Sequence, residues 1–138
     1  MKKIFLSKDT PIHCLISSEA IMLDDHIEGY FNHGIKINEG DVVVDVGANI
    51  GVLGIRLSKK YKNIKIHSFE PIPSIFKVLK KNSKLSKNPF FKVYENGLGE
   101  KSENKEFTFF PNSPALSTAD PEVWKKEKDS LVNAVKGS

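Results

Sequence analysis

Apolar positions in this chain fall into short blocks, and their spacing changes from a continuous run to helical stripes. Val42, Val43, Val44 and Val46 form a β-branched run, the pattern of a strand buried on both faces of a parallel sheet. At Asp45 the run passes into a glycine-punctuated turn, Gly47-Ala-Asn-Ile-Gly51, and then into a helical pattern over about residues 50–61. Ile50, Leu53, Leu57 and Tyr61 share one stripe of that helix. Gly54 falls inside the pattern, where it lowers intrinsic helix stability but permits close packing on the sheet. A second apolar strand, Ile64-Lys-Ile-His-Ser-Phe-Glu70, is followed by a second helix with Ser74 as its cap and Ile75, Phe76, Leu79 and Leu85 on its buried side. The Asn88-Pro89 turn ends that helix, and Phe90-Phe-Lys-Val-Tyr94 reads as a third strand. Strands alternating with helices predict an α/β fold built on a doubly wound parallel sheet.

Residues 1–38 are expected to form an N-terminal cap, and residues 39–138 the sheet-bearing domain. In the cap, Lys3-Ile-Phe-Leu6 and Ile12-His-Cys-Leu-Ile16 make a hairpin around Asp9-Thr-Pro11. Ser17 or Ser18 then caps a helix running to about Asn32, with Leu23, Ile27, Tyr30 and Phe31 on its apolar face. Past the third strand, Glu106-Phe-Thr-Phe-Phe110 predicts a short strand, and residues 111–120 a polar surface excursion or lid. Asp120, Pro121 and Glu122 carry helix-start chemistry for a last helix that places Trp124, Leu131 and Val135 on one face.

Composition narrows the class without naming a function. With 138 residues, 39% hydrophobic and 28% charged, the chain suits one soluble globular domain. No apolar run approaches the ~20 residues of a membrane span. Met1-Lys-Lys-Ile-Phe-Leu-Ser-Lys begins like a signal peptide, but its apolar segment is too short. Cys14 is alone, which excludes a disulfide framework and a cysteine metal cluster and makes the cytoplasm the expected compartment. The net charge of +4 is carried almost entirely by lysine, Arg56 being the single arginine. Lys59-Lys60, Lys80-Lys81 and Lys125-Lys126 lack arginine forks and interleaved aromatics, so they read as solvated helix faces rather than a nucleic-acid footprint.

Candidate chemistry gathers where the first strand ends. Gly47 permits positive φ and close approach of a ligand, Gly51 lets helix and strand pack tightly, and a new helix start favours an anion. Glu70 ends the second strand nineteen positions after Gly51, close to the spacing at which an acid accepts hydrogen bonds from a ribose. Strand, turn, helix, strand and terminal acid together point to a site for an adenosine-containing ligand. The loop Glu95-Asn-Gly-Leu-Gly99 lies at the same end of the sheet. There Glu95 or Asn96 touches an adenine amino group, or serves only as a turn former. His26, His33 and Asp25 are candidate bases by residue type alone, and no catalytic residue is assigned.

Asp45-Val-Gly-Ala-Asn-Ile-Gly51, Ser68-Phe-Glu-Pro-Ile-Pro73, Gly97-Leu-Gly, Glu106-Phe-Thr-Phe-Phe110 and Asn112-Ser-Pro-Ala-Leu-Ser117 resemble the FkbM family of S-adenosylmethionine-dependent methyltransferases. The resemblance covers about residues 31–120 and is closest to members associated with polyketide and nonribosomal peptide synthesis. It implies a class I, Rossmann-like methyltransferase fold and S-adenosyl-L-methionine as cofactor. Asp45, Gly47, Ala48, Asn49 and Gly51 would surround the methionine end, Glu70 would hold the ribose, and Asn96 would approach the adenine. A small-molecule hydroxyl acceptor follows from the same resemblance.

The family continues with an Ile-Asp-Val-Glu-Gly-like strand and the rest of a seven-stranded sheet, which this sequence lacks. The sheet is therefore expected to be incomplete in its C-terminal half, with an open edge covered by self-association or a complementing chain. A truncated, non-catalytic cofactor-binding remnant or split subunit is the main alternative. An NAD-dependent oxidoreductase fits less well, because Gly47-Ala-Asn-Ile-Gly51 lacks the glycine two positions after the first.

Overall fold

The computed structural model of the chain describes residues 1–31 and 33–120. The helix expected after Asp120, with Trp124, Leu131 and Val135, lies outside those residues, as does the Lys125-Lys126 pair. Two compact units divide after Leu98, so the expected cap over residues 1–38 shares a unit with the sheet.

In the first unit, strands β1 (Lys2–Leu6) and β2 (Thr10–Cys14) form an antiparallel hairpin. Helix α1 covers Ser17–Phe31. Strands β3 (Val42–Val46), β4 (Lys65–Phe69) and β5 (Phe91–Tyr94) make a parallel sheet in the order β3-β4-β5, joined by helices α2 (Val52–Lys60) and α3 (Pro73–Leu85). The alternation of strand and helix thus yields two successive βαβ units of an α/β, Rossmann-like fold.

Contact between α2 and the sheet depends on a missing side chain. A Cβ on Gly54 would stand 2.0 Å from Phe91 Cζ, and one on Gly51 would stand 2.6 Å from Leu79 Cδ1. Ile55, Leu57, Ile66, Ile75, Val78 and Leu79 fill the space between helices and sheet. Across the helices from the sheet, the hairpin is tied down by Asn82, which is fully buried in α3. Its side chain accepts from the His13 amide at 2.8 Å and donates to the carbonyls of His13 (2.8 Å) and Ile50 (2.7 Å).

Several expectations need correction. The face of β3 formed by Val42, Val44 and Val46 is 58–59% exposed rather than buried. The two consecutive crossovers β3–α2–β4 and β4–α3–β5 run in one direction across the sheet, which places both helices on the other face. Ser74 is not the cap of α3: the helix starts at Pro73, two residues earlier than a Ser74 cap implies, Ile72 is the N-cap, and no side chain bonds there as a cap. The buried side of α1 is Ala20, Asp24 and Ile27, while Tyr30 is half exposed. Burial of Asp24 is tolerated because Arg56 reaches it from α2, with Nε to Oδ1 at 2.7 Å and Nη2 to Oδ2 at 2.5 Å. Arg56 also donates to Ser7 and Thr10, so one guanidinium joins hairpin, α1 and α2.

In the second unit, the strand expected over residues 106–110 is reduced to a single antiparallel bridge between Thr108 and Thr118. The polar loop between them holds a 3-10 turn at Pro114–Leu116, because a proline at the first helical position favours a short turn over extension.

Candidate functional site

The β-branched run of β3 breaks at Gly47, whose φ of +74° few other residues adopt without strain. Asn49 (φ +50°) and Gly51 (φ +84°) also occupy the left-handed region, so the backbone reverses within five residues. This reversal is held from β4. The carbonyl of Phe69 accepts the amides of both Gly47 and Ala48 at 3.0 Å. Glu70 Oε2 accepts the Asn49 amide at 3.1 Å, Asn49 Oδ1 takes the Ile50 amide at 2.8 Å, and the Ala48 carbonyl takes the Gly51 amide at 2.9 Å. Every amide from 47 to 51 therefore has a partner within the chain, and only the first turn of α2 remains to offer donors to an anion.

Glu70 is 4% exposed. Its second oxygen, Oε1, accepts the Ile72 amide at 2.9 Å, so the same acid steadies the glycine turn and the start of α3. Burial pushes its carboxyl above the usual range, against the pull of the Ile72 and Asn49 amides, and the neighbouring Asp45 charge adds to the rise. Asp45 pairs with Ser68 across β3 and β4 and accepts its hydroxyl at 3.3 Å. Burial raises the Asp45 carboxyl as well, with the Ser68 hydrogen bond opposing.

Asp45, Gly47, Ala48 and Asn49 line one side of a cleft of about 170 Å³, and Leu23, His26 and Tyr30 of α1 line the other. Glu70 lies buried beside the turn, and Gly51 behind it at the N-cap of α2. Asn96 is exposed beyond the carboxyl end of β5, outside the cleft lining. His33 follows the end of α1 and does not share its helical face with His26. The sequence pattern alone makes the α1 wall an apolar stripe. The signal that reveals it is the i, i+3, i+7 spacing of Leu23, His26 and Tyr30.

The residues present fit an adenosyl cofactor. Open space lies in front of Gly47, where a Cβ would meet nothing within 4 Å. Each Glu70 oxygen accepts one amide and keeps a lone pair for a hydroxyl donor.

No family model matches the chain. The 31-O-demethyl-FK506 methyltransferase FkbM of Streptomyces tacrolimicus is 30% identical over 94 residues, covering 68% of this chain and 36% of that protein. The methyltransferase sdnD of Sordaria araneosa is 38% identical over 91 residues, covering 65% of this chain and 35% of that protein. The chain is a relative of FkbM and of other methyltransferases. It spans about a third of the length of these relatives. A solved O-methyltransferase structure, StiE O-MT, superposes with a TM-score of 0.52 at 10% identity, over 64% of this chain and 32% of that one. The likeness shows a shared fold, in which the FkbM-related chain supplies the β3-to-β5 part of a parallel sheet.

Proposed function

We propose that this FkbM-related chain is the cofactor-binding portion of an S-adenosyl-L-methionine-dependent methyltransferase that acts on the hydroxyl of a small natural product. The observation that carries this reading is the joining of glycine turn and terminal acid through Asn49 and Glu70. Glu70 would accept the ribose hydroxyls, residues 45–49 would face the methionine end, and Asn96 would approach the adenine from the β5 loop. When bound, the cofactor supplies an electrophilic methyl group on a sulfonium sulfur. The protein's share is to hold the acceptor oxygen in line and exclude water, for which a strong general base is not obligatory. Oxygen as the acceptor is supported by the Streptomyces relative, a 31-O-demethyl-FK506 methyltransferase.

A second reading is favoured by the exposed valines of β3: the chain binds cofactor but turns over only when a complementing chain or a second copy covers that face. The test is to follow melting of the chain with S-adenosylhomocysteine and with NAD, then to assay transfer of a labelled methyl group to hydroxylated acceptors. Stabilisation by S-adenosylhomocysteine with labelled product supports the enzyme, and stabilisation without product supports the second reading. Stabilisation by NAD alone overturns both.

A further inference from the structure

We propose that a second cleft, between α1, α2 and the β1–β2 turn, binds a small organic anion with an apolar body, of the alkyl carboxylate class. Its volume of about 310 Å³ exceeds that of the cleft at the glycine turn. Ile27 lines both clefts. The other α1 residues on the linings differ, Glu28 and Phe31 here against Leu23, His26 and Tyr30 there, so the clefts occupy adjoining flanks of one helix. Apolar lining comes from Ile27 and Leu57, both buried, and from Phe31, partly buried. Around it stand four cations, Lys8, Arg56, Lys59 and Lys60, and one acid, Glu28.

The charge on this lining is unbalanced. Lys8 already holds Glu28 at 3.0 Å, and Arg56 commits its guanidinium to Asp24, Ser7 and Thr10. Lys59 Nζ donates to neutral oxygens, the carbonyls of Lys8 and Asp9 and the Thr10 hydroxyl. Lys60 Nζ stands 5.8 Å from the Phe31 ring centroid and 5.2 Å from that of Tyr61. Neither Lys59 nor Lys60 has a carboxylate partner among the described residues. Lysines in the last turn of a helix complement its dipole and need no ligand for that. The dipole does not explain an ammonium held over a ring that also lines a cleft. An apolar body lying on Phe31 would bring an attached anionic head to Lys60, which the ring already steadies. Because the arginine fork is taken, the head meets point charges, which suit a carboxylate without bidentate geometry. The volume falls at the low end of the roughly 300–1,000 Å³ typical of small-ligand pockets, which fits a small molecule rather than a partner helix.

Chemical-shift titration of the labelled full chain with octanoate tests the proposal, with octanol, octylamine and inorganic phosphate as comparison ligands. With octanoate the amide signals of Phe31, Leu57 and Lys60 should move together and saturate, while those of Val42, Val44 and Val46 on the exposed sheet face stay in place. Octanol and octylamine should bind about tenfold more weakly, the scale of a lost contact to a charged group. Inorganic phosphate, which has no apolar body, should give no saturable shift. Lys60→Gln is expected to weaken octanoate binding about fivefold, as loss of one surface charge contact does. Phe31→Ala should weaken it about tenfold through the lost ring contact. Lys80→Gln removes the same charge from α3, off the cleft lining, and should leave binding unchanged. Lys60 is exposed, so Lys60→Gln should keep the parent's melting midpoint and report on binding alone. The proposal is overturned if octanol or phosphate binds like octanoate, if Lys60→Gln binds like the parent, or if octanoate shifts only the valine face or nothing. No titration contains the cofactor, so such a failure leaves the methyltransferase reading standing.

Discussion

Glu70 Oε2 lies 3.1 Å from the Asn49 amide, so the acid that ends one strand holds the turn that follows its neighbour. Because Oε1 also accepts the Ile72 amide, removing this side chain strips two backbone donors of their acceptor in a nearly closed site. Unmet buried donors cost about 1–3 kcal/mol each. Glu70→Ala should lower stability by about 2 kcal/mol or more in urea titrations at neutral pH, besides abolishing cofactor binding. An unchanged midpoint would show that the turn holds itself.

The raised carboxyls give a pH dependence with a definite sign. In the folded chain Asp45 keeps its proton to a higher pH than in the unfolded chain. Its contribution to stability is therefore full below the unfolded value of about 4 and is lost as pH rises through the raised one. Asp45→Asn cannot titrate. The stability of the parent relative to Asp45→Asn should rise as pH is lowered from 7 towards 4, when both are unfolded in urea without ligand. Cofactor affinity should run the other way, falling with pH as Glu70 takes up a proton and loses acceptor capacity. A parent-minus-variant difference that is flat or falls on acidification would refute the assigned burial.

Gly54 tests the packing of α2 on the sheet. Alanine favours a helix over glycine by about 1 kcal/mol, yet here its Cβ would enter the Phe91 ring. Overpacking of this kind costs about 1–3 kcal/mol, so Gly54→Ala should be destabilising overall. Adding Phe91→Leu should recover part of the loss. Strict additivity of the two changes would mean that they do not touch.

The ion pair between Arg56 and Asp24, with side chains 11% and 5% exposed, should behave as a buried pair. Asp24→Ala leaves an unpaired buried charge and should cost about 3–5 kcal/mol, whereas Asp24→Leu combined with Arg56→Leu should cost less than the single change. Thermal unfolding of the two variants decides this. Equal losses in single and double variants would assign the effect to packing alone.

The order from β3 to β5 was legible because its periodicities are strong and local: a valine run, a glycine turn, two amphipathic stripes. Placement of the helices on one face was not, since a valine run reads the same whether one face or two are covered. Asn82 shows a second limit. It sits in a polar stretch, Lys80-Lys-Asn-Ser-Lys84, that reads as solvent-facing, and its partners His13 and Ile50 are distant in sequence. Asp24 was hidden likewise, although the solitary arginine was a hint that one cation has a fixed partner. At the site, the residue types of the turn and Glu70 were readable, but not that Glu70 braces the turn and α3 together. The α1 wall was hidden because Leu23 and Tyr30 suit a core stripe as well as a ligand pocket.

Amide chemical-shift mapping of the labelled chain during titration with S-adenosylhomocysteine tests the central claim most directly. The signals of Gly47, Ala48, Asn49 and Glu70 should move together in a saturable manner, while those of the β1–β2 hairpin stay in place. Saturable shifts confined to other residues, or no shifts at all, would contradict a cofactor site at the glycine turn.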